Sequence, residues 1–292
     1  MPKGGDSVYR IAKKRVLNSQ VKLMEIEAPL VANKALAGQF IIFRVDDIGE
    51  RVPLTVAGVD KEKGTVTIIF QEIGYTTKKL GALNEGDYIQ DFVGPLGTAS
   101  HLSGFNKVAV IGGGLGLAIA YPQAKALKEQ GATVHVISGF RNKDLILLED
   151  EVNAIADKNI IMTDDGSNGN KGLVTDALKN LIESGENYDA VIAIGPLIMM
   201  KFVCLLTKQY GLKTIVSMNP IMVDGTGMCG ACRVTVDGKT KFACVDGPDF
   251  DGHLVDFDEA MKRQTLYKDK EEKMLDDHCK LGGEFNAKYA NK

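Results

Sequence analysis

From residue 101 to about 220 the sequence alternates β-branched runs with amphipathic ones, and this constrains the fold more than any other feature. Lys107–Ile111, Thr133–Ser138, Ile160–Thr163, Ala190–Ile194 and Lys213–Ser217 read as strands. Helices fall between them: one running to about Lys128, then Leu145–Ala156, Gly172–Ser184 and Met199–Gln209. A strand returns parallel to its predecessor only over a connection of about a dozen residues or more, usually a helix. The segment therefore predicts a doubly wound parallel α/β sheet.

The flanks have different textures. Residues 1 to about 100 carry six short alternating runs: Val8–Ile11, Val21–Ile26, Phe40–Val45, Leu54–Val59, Thr65–Phe70 and Tyr88–Val93. Turn residues such as Asp60–Gly64 and Glu85-Gly86-Asp87 separate them, which predicts a small antiparallel β-barrel. Residues 221–292 are rich in glycine and cysteine. Arg233–Val236 and Lys241–Ala243 suit a hairpin turned by Asp237-Gly238, and a charged helical tail is expected from about Asp258 to His278. The expected domains are thus 1–100, 101–220 and 221–292.

Charge narrows the function classes. Lys plus Arg number 35 and Asp plus Glu 38, giving a net charge of −3, so a general nucleic-acid binder, which needs a basic face, is not expected. No run approaches the roughly 18 apolar residues of a membrane span. The N-terminus, Met1–Gly5, leads into Val8–Ile11 without a signal peptide's apolar stretch. A cytoplasmic protein without membrane attachment is the expectation.

The five cysteines are an odd number, and three fall within 229–244, unlike a disulfide framework. Their spacing is Cys229-x2-Cys232-x11-Cys244. Plant-type [2Fe–2S] proteins use C-x4-C-x2-C…C. Counting back over four intervening residues from Cys229 reaches Asp224, and Gly225 and Gly227 between them suit a loop whose N–H groups turn inward. Asp224, Cys229, Cys232 and Cys244 are therefore expected to hold a [2Fe–2S] cluster with one carboxylate ligand. The competing reading is a structural zinc, which commonly pairs two C-x2-C units where this chain has one. Cys204, in the apolar Phe202–Leu206 segment, suits a core thiol, and Cys279 an exposed one.

Two further loops carry nucleotide signals. Gly112-Gly113-Gly114-Leu115-Gly116 follows a strand and opens a helix, where phosphate oxygens can meet free N–H groups. Gly195-Pro196 would line the same cleft, because ligands bind outside the carboxyl ends of parallel strands. Arg141 follows the second strand in place of the usual ribose-binding acid; it suits a ribose or a 2′-phosphate equally, which leaves NADP(H) open beside NAD(H). In the barrel segment, Arg51-Val52-Pro53-Leu54-Thr55 and the donors of Gly74, Thr76 and Thr77 could grip a pyrophosphate, a weak pattern when taken alone.

Barrel, nucleotide-binding domain and terminal cysteine loop, in that order, resemble the ferredoxin reductase superfamily. The likeness rests on Arg51-x-Pro53-Leu54-Thr55, Gly94-Pro95-Leu96-Gly97, Gly112–Gly116 and the cysteine loop, and covers nearly the whole chain. That loop looks like the one in electron-transfer subunits of dihydroorotate dehydrogenase, which carry a cysteine where this chain has Asp224. The stretch Asn219–Cys232, aspartate included, is similar to small subunits of NADH-dependent reduced ferredoxin:NADP oxidoreductases, also called sulfide dehydrogenases.

The resemblance implies a flavin-based, electron-bifurcating heterodimer. Its large subunit would carry a second FAD, two [4Fe–4S] clusters and the NADP(H) site, and ferredoxin would be served through it. In this chain Arg51, Pro53, Leu54 and Thr55 would contact FAD, with Gly74, Thr76 and Thr77 near its pyrophosphate. Gly112, Gly113, Gly114 and Gly116 would hold NAD(H). Many superfamily members have a cysteine directly before the Gly-Pro; here Ile194 stands there, and no catalytic acid or base is expected. The alternatives are the electron-transfer subunit of an NAD-dependent dihydroorotate dehydrogenase and a non-catalytic redox sensor.

Overall fold

The computed structural model describes residues 8–273. The first segment folds into eight strands rather than six: β1 (Tyr9–Val16), β2 (Val21–Glu27), β3 (Phe40–Arg44), β4 (Val52–Thr55), β5 (Gly58–Asp60), β6 (Thr65–Gln71), β7 (Tyr88–Ile89) and β8 (Asp91–Leu96). They form two antiparallel sheets, ordered β5-β6-β2-β1-β7 and β4-β3-β8. Two runs expected as single strands each turn a corner. After Thr55 the chain leaves β3, and Val56 N bonds Gln39 O while Ala57 N bonds Thr67 O, so β5 continues along β6. At Gln90 the chain likewise passes from pairing with β1 to pairing with β3. These corners close the sheets around a shared core that includes Met24, Ile26, Phe43, Phe70 and Phe92. Each such side chain contributes roughly 1.5–3 kcal/mol when fully buried.

Two helices interrupt this barrel, α1 (Pro29–Ala32) and α2 (Tyr75–Ala82). The residues Gly74, Thr76 and Thr77, expected in a loop, sit at the start of α2. Thr77 Oγ1 accepts from Gly74 N at 3.1 Å and fixes the helix entry. At the other end, Lys14 Nζ donates to Gly81 O and Leu83 O at 2.8 and 2.6 Å, satisfying last-turn carbonyls with a cation.

The middle segment is a parallel sheet of β9 (Lys107–Gly113), β10 (Thr133–Phe140), β11 (Lys158–Thr163), β12 (Ala190–Ile194) and β13 (Thr214–Ser217). Its helices are α3 (Gly116–Glu129), α4 (Glu149–Asn153), α5 (Val174–Glu183) and α6 (Leu197–Gln209). The strand order is β11-β10-β9-β12-β13, with the topological switch between β9 and β12. The helix expected over Leu145–Ala156 is broken into a short 3-10 turn, Lys143–Leu145, and α4. Leu148 stands between them with φ 56°, a left-handed conformation that no helix passes through.

The last segment supplies β14 (Arg233–Val236), β15 (Lys239–Phe242), β16 (Asp249–Asp251) and α7 (Phe257–Gln264). Asp237 and Gly238 both have positive φ, 51° and 68°, as a two-residue hairpin turn requires. That turn sets β15 two residues earlier than expected. The strand β16 pairs antiparallel with β13 and becomes the sixth strand of the central sheet. The expected helical tail is found as α7, ending at Gln264, and, after a turn at 265–267, as a further helical stretch over 268–273; His278 and Cys279 lie outside the described residues. Among the described residues no helix is long and apolar enough to cross a membrane.

Candidate functional site

At the switch point the glycine loop and Gly195-Pro196 meet. Added Cβ atoms would stand 2.6 Å from Leu117 Cα at Gly112, 2.5 Å from Met199 Sδ at Gly113 and 2.2 Å from Ile194 O at Gly116. Gly112 and Gly116 therefore let β9, α3 and β12 approach one another, and Gly113 admits the start of α6. Gly114 differs: its φ is +54°, and open space lies where its side chain would be. The N–H groups of Leu117 and Ala118 already bond the carbonyls of Gly114 and Leu115, so part of the helix start is satisfied internally. Arg141 is exposed just beyond the carboxyl end of β10. The loop, Gly195-Pro196 and Arg141 thus share one edge of the sheet, with Gly114 as the open point of backbone.

A second cradle lies on the barrel. Pro53, Leu54 and Thr55 are half-buried on β4, opposite Ile42, Ile41 and Phe40. Thr76 Oγ1 donates to Glu50 Oε2 at 2.9 Å, which ties the start of α2 to the residue preceding Arg51. The two threonine hydroxyls expected as ligand donors are thus engaged, Thr77 as a helix cap and Thr76 with Glu50. The N–H groups of Thr76 and Thr77 and the outer nitrogens of the Arg51 guanidinium are the donors here suited to an anion. A side chain on Gly74 would meet nothing within 4 Å, so the ground before the helix is open. This cradle fits a dinucleotide pyrophosphate.

The cysteine loop is packed against that same barrel. A Cβ on Gly225 would come within 2.6 Å of Leu96 Cδ1 and 2.9 Å of Ile42 Cδ1. Arg51 Nε donates to Val223 O at 2.8 Å. Asp224 Oδ1 accepts from Thr226 N at 2.7 Å and Oδ2 from Cys229 N at 2.8 Å. These backbone N–H groups hold its carboxyl below the usual carboxylate range. Gly225, Gly227 and Gly230 all have positive φ, so the chain coils in a way other residues resist.

Cys232 and Cys244 are buried with their sulfurs 3.2 Å apart, whereas Cys229 is exposed on the loop. Burial, reinforced by the Cys232 sulfur, pushes the Cys244 thiol up to about 12. A bound cation would reverse that preference, because coordinating thiols are deprotonated. Among the described residues, three or more such side chains do not converge in ligand geometry: two sulfurs meet, and Asp224 faces the Cys229 N–H. Even so, three thiols and a carboxylate on one glycine-coiled loop and the adjoining hairpin end fit an iron–sulfur cluster. Cys204 is a core thiol as expected, raised to about 12 by burial.

Sequence reasoning missed the joint between the three segments. The buried Asp249 carboxylate on β16 accepts from Ser100 Oγ at 2.5 Å and from Gln123 Nε2 on α3 at 3.1 Å. Burial pushes its pKa up, opposed by hydrogen bonds from Ser100, Ser217 and Gln123 and by nearby His101. Thr98 adds two bonds across the same seam, from N to Gly247 O at 2.6 Å and from Oγ1 to Val245 O at 3.1 Å. No local pattern marks these residues, because their partners are more than a hundred positions away.

Comparison with known proteins agrees with this geometry. Residues 219–256 match the iron–sulfur cluster binding domain of dihydroorotate dehydrogenase B, and 110–205 the oxidoreductase NAD-binding domain. A Thermotoga maritima protein named as a homolog of the dihydroorotate dehydrogenase B (NAD(+)) electron transfer subunit is 46% identical, over 96% of this chain and 99% of its own. An uncharacterized Clostridium beijerinckii protein, from the region 3′ of adh, is 54% identical over 91% of this chain and 93% of its own. A solved structure of NADH-dependent reduced ferredoxin-NADP oxidoreductase, reported for flavin-based electron bifurcation, superposes with TM-score 0.88 at 45% identity, over 94% of this chain and 99% of that one. Phthalate dioxygenase reductase shares the fold at 15% identity, with TM-score 0.58, over 80% of this chain and 87% of that one. The chain belongs to the electron-transfer-subunit family of dihydroorotate dehydrogenase B, flavin- and iron–sulfur-dependent NAD(P)H oxidoreductases that use FAD, an Fe–S cluster and NAD(H).

Proposed function

We propose that this chain is the small subunit of a flavin-based electron-bifurcating, NADH-dependent ferredoxin:NADP oxidoreductase. The observation that carries the reading is Asp224, separated from Cys229 by four residues, where a fourth cysteine would be expected. The 45% identity to a structure reported for electron bifurcation, over nearly the whole of both chains, supports it.

In this reading FAD lies along Arg51, Pro53, Leu54 and Thr55, with its pyrophosphate before Gly74, Thr76 and Thr77. NAD(H) lies across Gly112, Gly113, Gly114 and Gly116, with Gly195, Pro196 and Arg141 at its margins. Asp224, Cys229, Cys232 and Cys244 hold the cluster. When bound, the flavin supplies hydride acceptance and one-electron release, and the cluster supplies a one-electron relay. The chain's own part is placement. Arg51 and the start of α2 fix an anion on the barrel. Gly114 leaves backbone open to a nucleotide at the switch point. Gly225 seats the cysteine loop directly on β3 and β8, so the two redox groups sit on neighbouring surfaces. Ile194 brings no thiol to the cleft, and the rate rests on positioning rather than acid–base groups.

The partner is a larger subunit carrying FAD, two [4Fe–4S] clusters and the NADP(H) site, and ferredoxin reacts through it. A cytoplasmic setting belongs to the proposal, since free thiol ligands need a reducing compartment. The proposed domains are 1–100 for FAD, 101–220 for NAD(H) and 221–292 for the cluster, the last lending β16 to the central sheet. A second reading, the electron-transfer subunit of a dihydroorotate dehydrogenase, is favoured by the family matched over residues 219–256. Anaerobic purification from the native source separates them. An iron–sulfur flavoprotein partner supports the first reading; a partner with dihydroorotate-oxidising activity sinks it in favour of the second.

A further inference from the structure

Two arginines stand behind the cysteine loop, and neither pairs with a carboxylate among the described residues. Arg263, in the last turn of α7, donates from Nη2 to Ala231 O at 3.2 Å. Arg233 directly follows Cys232, and its Nη1 lies 3.9 Å from where a Cβ on Gly230 would stand. Both border a cavity of about 290 Å³ whose wall includes Cys229, Gly230 and Ala231. A cation in the last helical turn ordinarily complements the helix dipole. Here the guanidinium reaches another element instead, and its helix is pinned. Asp256 accepts from Glu259 N at 2.9 Å, and Lys201 bonds Asp258 at 2.7 Å. Gln264 donates to Asn219 at 3.3 Å, on the strand-to-loop connection leading to the cysteines.

We propose that Arg263 and Arg233 are positioning residues that raise the reduction potential of the cluster held by Asp224, Cys229, Cys232 and Cys244. The inference rests on the cluster reading above. One-electron reduction adds one negative charge at the loop and makes or breaks no bond in the chain. A fixed positive charge a few ångströms away favours the more negative state, and more strongly where protein rather than water surrounds it. Asp224 places a negative charge on the same loop, and the two guanidinium groups offset it. Arg263 also donates to the carbonyl between Cys229 and Cys232, so its charge is held at a fixed place on the ligand loop.

The test is a redox titration of the anaerobically purified holoprotein, followed by visible absorbance and electron paramagnetic resonance, with iron counted per chain. The variants are Arg263→Gln, Arg233→Gln and Arg263→Lys. Each glutamine variant is expected to shift the oxidised-to-reduced ratio at fixed ambient potential about three- to tenfold toward oxidised, tenfold being about 59 mV for one electron. Arg263→Lys is expected to stay near wild type, and added salt to shrink the differences. Wild-type protein without a cluster overturns the cluster reading itself. Glutamine variants that retain iron and titrate like wild type overturn only this inference. A lysine variant shifted as far as the glutamine one assigns the effect to the hydrogen bond and overturns the role of charge. Should Arg263→Gln lose iron, Arg233→Gln decides: a shift toward oxidised supports the inference and a wild-type titration overturns it.

Discussion

The Arg51 guanidinium and the Val223 carbonyl are joined by a 2.8 Å hydrogen bond, linking the barrel to the residue before Asp224. One side chain thus borders both candidate cofactor sites: Nε holds the cysteine loop while the outer nitrogens remain for an anion. Substituting Arg51→Met removes both functions. A hydrogen bond to a charged group is worth about 1.5–3 kcal/mol, so FAD affinity should fall about ten- to a hundredfold. Fluorescence titration of the deflavinated protein measures this, and unchanged affinity would remove Arg51 from the flavin site.

The glycines at the switch point make separable predictions. Gly116→Ala forces a Cβ to 2.2 Å from the backbone oxygen of Ile194, which cannot step aside. Gly113→Ala meets the Met199 sulfur at 2.5 Å, and that side chain can rotate. Overpacking of this kind costs about 1–3 kcal/mol, so Gly116→Ala should lower Tm more than Gly113→Ala. Gly114→Ala meets no neighbour but must take a left-handed φ of 54°, so it should weaken NADH binding and also lower Tm by a backbone strain of about 1–2 kcal/mol. Thermal unfolding and NADH titration on the three variants test the ordering.

Cysteine roles divide cleanly. Cys232→Ser or Cys244→Ser should lose most of the bound iron, whereas Cys204→Ala should retain it and lose only packing. Asp224→Ala leaves the N–H groups of Thr226 and Cys229 without their acceptor and so loosens the coil of this exposed loop. Asp224→Cys should keep the iron with an altered visible spectrum. Iron analysis with absorbance checks these outcomes, and full iron in Cys232→Ser would refute the ligand set.

Stability should depend on pH through Asp249. Burial raises its folded pKa above the unfolded value, so between those two values the folded state binds more protons than the unfolded one. Its contribution is complete below the ordinary aspartate range and is lost as pH rises through the raised value. Asp249→Asn, neutral throughout, should flatten that slope, while Asp249→Ala should destabilise at all pH values by leaving Ser100 and Gln123 short of an acceptor. Tm measured across a pH series decides between these outcomes; a slope unchanged in Asp249→Asn would assign it to another group.

Local pattern carried the middle of the molecule well. Five strands and the glycine turn between β9 and α3 were legible because β-branched runs and glycine punctuate the chain wherever helices separate strands. The barrel was less legible at its corners. Nothing in Val56-Ala57 or Gln90 signals that the strand changes partner, since the change depends on where β6 and β3 lie. Thr76 and Thr77 suggested loop donors, but Thr77 caps a helix. The hydrophobic spacing of Leu145–Ala156 suggested one long helix, and Leu148 in a left-handed conformation divides it. The cysteine spacing located the loop and its ligand candidates. The seam of Ser100, Gln123 and Asp249 is invisible to any window of sequence.

The pairing of β16 with β13 also bears on how the chain must be cut and assembled. Without residues 249–251, β13 would present a row of unpaired backbone groups at the margin of the central sheet, an invitation to strand-by-strand association with other chains. The stretch beyond the cysteine loop therefore acts as an edge guard for the nucleotide domain. A fragment ending before Asp249 would keep all four candidate cluster ligands and still be sticky, and a nascent chain would keep that edge open until Asp251 had emerged.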